Sequence, residues 1–233
     1  MKKIGIIFAM KEEMDELLKY IHLEKETSIY DLVFYEGTIS NTKCILVESG
    51  IGKVNAARST QVLIDNYEVD YIFNIGVAGG VSKDINICDL VVANELVQHD
   101  FDITVFNHEK GYIPKIGIYI KCNKELNKIA SKIKLRGTSI HNGVVASGDI
   151  FCSEEWMGEK IHNKFNALCV EMEGASIAQV CYLCKKPFLV IRSISDSPYQ
   201  KNNKLTHEEF LTKSSKKVAE FLNKMVIEME CKI

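Results

Sequence analysis

Lys3-Ile4-Gly5-Ile6-Ile7-Phe8-Ala9-Met10-Lys11-Glu12-Glu13-Met14-Asp15-Glu16-Leu17-Leu18 opens the chain and decides its fold class. The run from Lys3 to Ala9 is apolar without alternation, the pattern of a strand covered on both faces. Met14, Leu17, Leu18 and Ile21 then recur at i, i+3, i+4 and i+7, which makes one helical stripe. A buried strand followed at once by an amphipathic helix is the opening unit of an α/β domain. Glu12 and Glu13 stand at the junction. Acids favour the positive end of a helix. The same two residues also lie at the carboxyl end of a strand, where open α/β sheets bind ligands. The junction alone leaves both readings open.

Working outward, the alternation continues. Leu32–Tyr35, Cys44–Glu48, Tyr71–Ile75, Leu90–Leu96, Gly143–Ala146, Ala167–Val170 and Pro187–Ile191 read as strands. Lys53–Asn66, Lys124–Lys134, Glu154–Asn163, Glu173–Cys184 and Thr206–Met229 read as helices. Residues 99–121 show no helical period and are expected to be loop plus strand. No repeat, low-complexity linker or domain boundary interrupts the pattern, so residues 1–233 are expected to form a single α/β domain.

The chain has 233 residues, 46% of them hydrophobic and 26% charged, enough to bury a core without staples. A net charge of −2 with no basic stripe argues against nucleic-acid binding. Eight cysteines in a chain this long do not suggest a disulfide framework. Met1-Lys2-Lys3 and the apolar run after it imitate a secretory signal. That run is short, and Lys11-Glu12-Glu13 ends it without a small-residue cleavage site. No stretch approaches the eighteen or so apolar residues of a membrane span. A reduced, cytoplasmic protein is expected.

Gly50-Ile51-Gly52-Lys53 invites a nucleotide-loop reading and fails it. A P-loop needs Gly at 47 and Ser or Thr at 54, and both positions are Val. A dinucleotide fingerprint needs Gly at 55, which is Asn. A tight turn into a helix accounts for the stretch. Close approach of bare backbone to a ligand at the helix start is the other option. Gly76-Val77-Ala78-Gly79-Gly80 follows a strand directly, and a turn or a ligand loop explains it equally well. Cys181 and Cys184 have CxxC spacing, yet they share a helical stripe with Ile177 and Ala178 and lack a second ligand pair. A metal site is not expected.

Val170-Glu171-Met172-Glu173-Gly174-Ala175 places two acids at a strand-to-helix junction between apolar segments. Buried carboxylates cost free energy unless paired or used. Ile191-Arg192-Ser193-Ile194-Ser195-Asp196 ends a β-rich run in Arg, two Ser and Asp. A structural cap is the alternative for Asp196.

These patches occur together and in order with Ala9-Met10-Lys11-Glu12-Glu13, Ser49-Gly50-Ile51-Gly52-Lys53-Val54 and Val145-Ala146-Ser147-Gly148-Asp149. In that combination the chain resembles the 5′-methylthioadenosine/S-adenosylhomocysteine nucleosidases of the nucleoside phosphorylase superfamily, from its first strand to its last helix. The resemblance implies a three-layer α/β/α sandwich with a mixed central sheet, a homodimer, and hydrolysis that releases adenine from a 5′-thioribosyl nucleoside. No cofactor is implied. By motif position, Asp196 is the acid at purine N7, supported by Ser195. Glu13 activates the water, and Arg192 helps to place both Glu13 and the water. Glu173 holds the ribose hydroxyls and Met172 packs the sugar. Phe151 stacks on adenine, with Ile51, Ala78, Gly79 and Cys152 also against the substrate. Phe106 and Pro114 reach across the dimer to the thioalkyl pocket of the other subunit, and His207 stands where an aromatic commonly lines that pocket. Val77 replaces the family's usual Ser or Thr, and Ser197-Pro198-Tyr199-Gln200 departs from its usual continuation.

The chemistry matches those roles. Cleaving C1′–N9 needs a protonated base as leaving group, hence an acid whose pKa burial has raised. It needs a second carboxylate as base on the water side. A third can bind the sugar and stabilise its developing positive charge. Phosphorolysis needs a cationic cradle instead, and the first loop here holds Lys11, Glu12 and Glu13. The alternatives are a purine nucleoside phosphorylase, a futalosine-type hydrolase, and, from another class, a non-catalytic nucleoside sensor.

Overall fold

The first strand, β1 (Lys3–Phe8), lies inside the sheet and is buried over five of its six residues. It runs parallel to β4 (Thr42–Glu48) on one side and to β5 (Tyr71–Gly80) on the other. Helix α1 (Lys11–Leu18) follows it directly. The computed structural model describes residues 2–197, 199 and 207–230, without the side chains of residues 207 and 208.

Beyond β4 the sheet continues antiparallel through β3 (Leu32–Ile39) to the edge strand β2 (His22–Ile29). On the other side β5 pairs with parallel β10 (Phe188–Asp196) for most of its length. Its last two residues, Gly79 and Gly80, pair antiparallel with β9 (Ala167–Glu171). From β9 the order runs through β8 (Ile140–Ser147) and β6 (Leu90–Gln98) back to β10. Five strands of this mixed sheet therefore close into a ring, and β1, β4, β3 and β2 extend from it as an arm. The short β7 (Ile120–Lys121) adds to β6.

Helices cover both faces. α1 packs on α6 (His207–Glu230), which lies along β10 and β5; α3 (Lys124–Ala130) joins them. α2 (Lys53–Tyr67) and α5 (Gly174–Leu183) pack on each other over the opposite face, and α4 (Glu155–Phe165) lies against β9 and β8. The stripe Val218, Phe221, Leu222, Met225, Val226 and Met229 of α6 is wholly buried. No described helix is long and apolar enough to cross a membrane.

Several boundaries differ from expectation. β2 was not anticipated, because His22-Leu23-Glu24-Lys25-Glu26-Thr27-Ser28-Ile29 is mostly exposed and shows no alternation. Charge along an edge strand also discourages pairing with other chains. β5 runs on through the glycines that looked like a turn, and β10 runs on to Asp196. α1 stops at Leu18, so Ile21 packs on the core from beyond the helix. α3 stops at Ala130, four residues short of Lys134. Residues 99–121 hold a single 3₁₀ turn, Thr104–Phe106, and β7.

Candidate active site

The carboxyl ends of β1, β5, β9 and β10 converge on a cavity of about 200 Å³. Glu13, Glu173 and Asp196 all line it. Ile51, Val77, Ala78, Gly79, Ile150, Phe151, Cys152, Met172, Ser195 and Leu211 supply much of the rest of a mainly apolar wall. Among the described residues no Lys or Arg side chain faces it.

Glu13 is held by backbone alone. Its Oε2 accepts the N–H groups of Ala9 and Met10, both at 3.1 Å, and its Oε1 accepts the N–H of Val77 at 2.9 Å. The side chain is buried. Burial pushes its carboxyl above the ordinary range, against the charge of Arg192 and the three N–H donors. Gly76 is what lets the carboxylate sit there: a Cβ at that position would stand 2.5 Å from Glu13 Oε1.

Glu173 stands at the N-cap position of α5, where the chain leaves β9, though its side chain makes no capping bond. Its Oε1 accepts the N–H of Gly52 at 2.9 Å. Burial, then the neighbouring Glu171 charge, push its carboxyl up to about 7; Arg192 and the Gly52 N–H oppose them. Gly52 has φ +100°, a conformation that side chains beyond glycine rarely adopt.

Asp196 ends β10 and is half-buried. The β10–β5 register slips between Ile194 and Asp196, a bulge of the kind that re-aims a side chain. Ser195 Oγ donates to Asp196 Oδ1 at 2.7 Å. Oδ2 lies over Gly79, 3.3 Å from where a Cβ would be.

Arg192 sits behind the cavity, 1% exposed. Its direct partners are Glu171, through Nε at 3.1 Å and a short Nη2 contact, and the Asn74 Oδ1. No hydrogen bond joins it to Glu13; its influence there is electrostatic. Burial would lower the guanidinium pKa, but the charges of Glu171, Glu173 and Glu13 outweigh it and raise it. Glu171 also accepts the Ser147 hydroxyl and the Gly174 N–H at 2.8 Å. The sequence marks Glu171 as an acid at an apolar junction but does not pair it with Arg192. A signal for it existed: an arginine between Ile191 and Ser193 in an apolar strand requires a buried carboxylate.

Of the remaining residues expected at the site, Phe106 and Pro114 lie outside the cavity and are exposed. Phe151 is 66% exposed at its mouth. The side chain of His207 lies outside the described residues, as do Pro198 and Gln200. Cys181 is buried, whereas Cys184 ends its helix half-exposed, its Sγ 3.4 Å from Gln61 Oε1.

Residues 3–228 match the model of the phosphorylase superfamily. A 5′-methylthioadenosine/S-adenosylhomocysteine nucleosidase of Geobacillus sp. (strain WCH70) is 38% identical, over 98% of this chain and 99% of its own. An aminodeoxyfutalosine nucleosidase of Helicobacter pylori (strain J99) is 40% identical, over 98% of this chain and 100% of its own. Among solved structures, a mutant of the H. pylori methylthioadenosine nucleosidase with 5′-methylthioadenosine in its active site superposes with a TM-score of 0.91. That structure is 39% identical and covers 98% of this chain and 99% of its own. With matches of this extent in sequence and in fold, the chain belongs to the phosphorylase superfamily, in its 5′-methylthioadenosine/S-adenosylhomocysteine nucleosidase family.

Proposed function

We propose that this protein hydrolyses the N-glycosidic bond of 5′-methylthioadenosine and S-adenosylhomocysteine, releasing adenine and the 5′-thioribose. One observation carries the reading: of the four carboxylates that line the cavity Glu171 is taken up by Arg192, and the other three stand in three different settings in a described wall that holds no cation. Phosphate as nucleophile would meet carboxyl groups and no described cation there. Water meets a base.

In this mechanism Asp196 protonates N7 while Ser195 holds its other oxygen, so the base leaves as a neutral purine. Glu13 takes a proton from the attacking water. Its three backbone N–H bonds fix the carboxylate before substrate arrives, so no reorganisation is needed during reaction. Glu173 accepts the ribose hydroxyls and stabilises the oxocarbenium-like sugar. Met172 packs the sugar, and Phe151 closes on the adenine from the mouth together with Ile51, Ala78, Gly79 and Cys152. Arg192 acts from behind the cavity, its positive charge favouring the ionised Glu13 and Glu173.

The whole chain acts as one catalytic domain, as a cytoplasmic homodimer in which Phe106, Pro114 and His207 complete the 5′-substituent pocket. Exposure of Phe106 beyond the cavity supports that arrangement. The reaction suits salvage of the thioribose for methionine. A second reading, an aminodeoxyfutalosine-type substrate cleaved by the same three acids, is favoured by the 40% identical H. pylori relative of that name. A panel of methylthioadenosine, adenosylhomocysteine, 5′-deoxyadenosine, inosine and futalosine-type nucleosides tests the choice. The account predicts the highest kcat/KM for the two thio-nucleosides. Preference for the futalosine type selects the second reading, and preference for inosine contradicts both.

A further inference from the structure

The start of α2 is held by acids. Gly52 N–H points at Glu173 Oε1, and the next N–H, of Lys53, points at Asp149 Oδ1 at 2.8 Å. The helix has no side-chain cap of its own, so these two carboxylates occupy its positive end. The Lys53 side chain then folds back. Its Nζ lies 2.7 Å from Asp100 Oδ1, 3.2 Å from Gln98 Oε1 and 3.9 Å from Asp149 Oδ2. Asp100 Oδ2 in turn accepts the N–H of Asp149 at 2.9 Å. Gln98 reaches on to Gln179 of α5, the helix that Glu173 precedes, at 2.6 Å.

One ammonium thus ties together three pieces of the site. They are the glycine loop that carries Ile51 and Gly52, the segment 149–152 that carries Phe151 and Cys152, and the end of β6. Only 17% of the Lys53 side chain is exposed and only 15% of the Asp100 side chain. Burial would raise the Asp100 carboxyl, but Lys53 and the Asp149 N–H hold it below its ordinary range. The pair is therefore charged and partly desolvated, unlike an ordinary surface salt bridge. The glycine loop has φ positive at both Gly50 and Gly52, and its other side-chain anchors are local: Asn55 donates to the Ile51 carbonyl and Ser49 to the Gly50 carbonyl.

We propose that Lys53 is a positioning residue: by clamping Asp100 and Asp149 it holds the Gly52 N–H against Glu173 and sets the base-side and sugar-side walls in register. The inference rests on the reading of Glu173 as the sugar-binding carboxylate. The groups facing Glu173 are Glu171, Glu13, Arg192 and the Gly52 N–H. Of these, Lys53 controls only the last.

The test compares Lys53→Met and Lys53→Arg with the wild type by adenine release from methylthioadenosine across pH 5–9. Misplacement on the ångström scale costs up to about 10²-fold, so Lys53→Met is expected to lose roughly 10- to 10²-fold in kcat/KM. Its acid limb is expected to move to higher pH, because Glu173 loses the donor that favours its ionised form. Lys53→Arg, which keeps the charge and the forked contacts, is expected to restore both. Asp100→Leu is the second variant and covers misfolding of the first. Loss of a negative charge alone would move the limb down, whereas loss of the clamp moves it up. An acid limb that stays put or falls in Asp100→Leu, or Lys53→Met kinetics within twofold of wild type, overturns the proposal. A wild type that releases no adenine overturns the functional reading and this inference together. An active wild type with unchanged variants overturns only the inference.

Discussion

Gly76 of β5 lies directly against Glu13 of α1: a Cβ on Gly76 would come within 2.5 Å of Glu13 Oε1 and 3.0 Å of its Cδ. The carboxylate cannot simply swing aside, because three backbone N–H groups fix it. Gly76→Ala must therefore push the Glu13 carboxylate, the proposed water-side base, out of place. The chain is expected to stay folded, since overpacking by one methyl costs about 1–3 kcal/mol. kcat should fall by roughly 10²-fold, with a smaller change in KM. Steady-state kinetics beside a thermal melt check this; full activity in Gly76→Ala contradicts the role given to Glu13.

Asp196 is paired with Ser195 through one oxygen and leaves the other over Gly79 in the cavity. Asp196→Asn retains the shape and removes the proton donor. Base release should drop at least about 10²-fold, the scale of a single general acid. Substrate binding, measured by calorimetry, should survive. Unchanged turnover excludes Asp196 as the acid on the purine.

Arg192 and Glu171 form a buried ion pair, with Glu171 in the cavity wall and Arg192 behind it. Removing one partner strands the other, at a cost of about 3–5 kcal/mol. Arg192→Met is expected to lower Tm by roughly 6–20 °C in a chain of this size. Adding Glu171→Gln should recover part of the loss, because the amide oxygen still accepts the Gly174 N–H. A double variant no more stable than Arg192→Met contradicts the pairing.

Glu173 has its carboxyl raised from 4.5 to about 7. The folded chain holds that proton more tightly than the unfolded chain, so between these pH values the native state binds more protons and stability falls as pH rises. The contribution is complete below about pH 4.5 and lost above about pH 7. Glu173→Gln cannot ionise. Its Tm relative to wild type should therefore climb from pH 5 to pH 8 and then level off. A constant difference across that range contradicts a raised Glu173.

Much of this was legible in the sequence. The first strand and helix, and the stripe of α6, follow directly from apolar periodicity. So does the placing of Glu13 at a strand's carboxyl end. Glu173 and Asp196 stood out because carboxylates interrupted apolar runs. The closing of the sheet did not stand out. It depends on β5 continuing through Gly79 and Gly80 to reach β9, and glycines after an apolar run carry the same local signal as a turn. β2 escaped because an exposed edge strand has no buried face to impose alternation. The Glu171–Arg192 pair and the Lys53–Asp100 pair escaped for a different reason. Their partners are 21 and 47 residues apart, and only the folded sheet brings them together.

The central claim is that three acids around a cavity with no cation among its described lining residues make water the nucleophile. It is tested most directly by following methylthioadenosine in phosphate-free buffer and identifying the sugar product. The account predicts full adenine release with free 5-methylthioribose, and no acceleration when phosphate is added. Turnover that requires phosphate and yields a sugar 1-phosphate contradicts it.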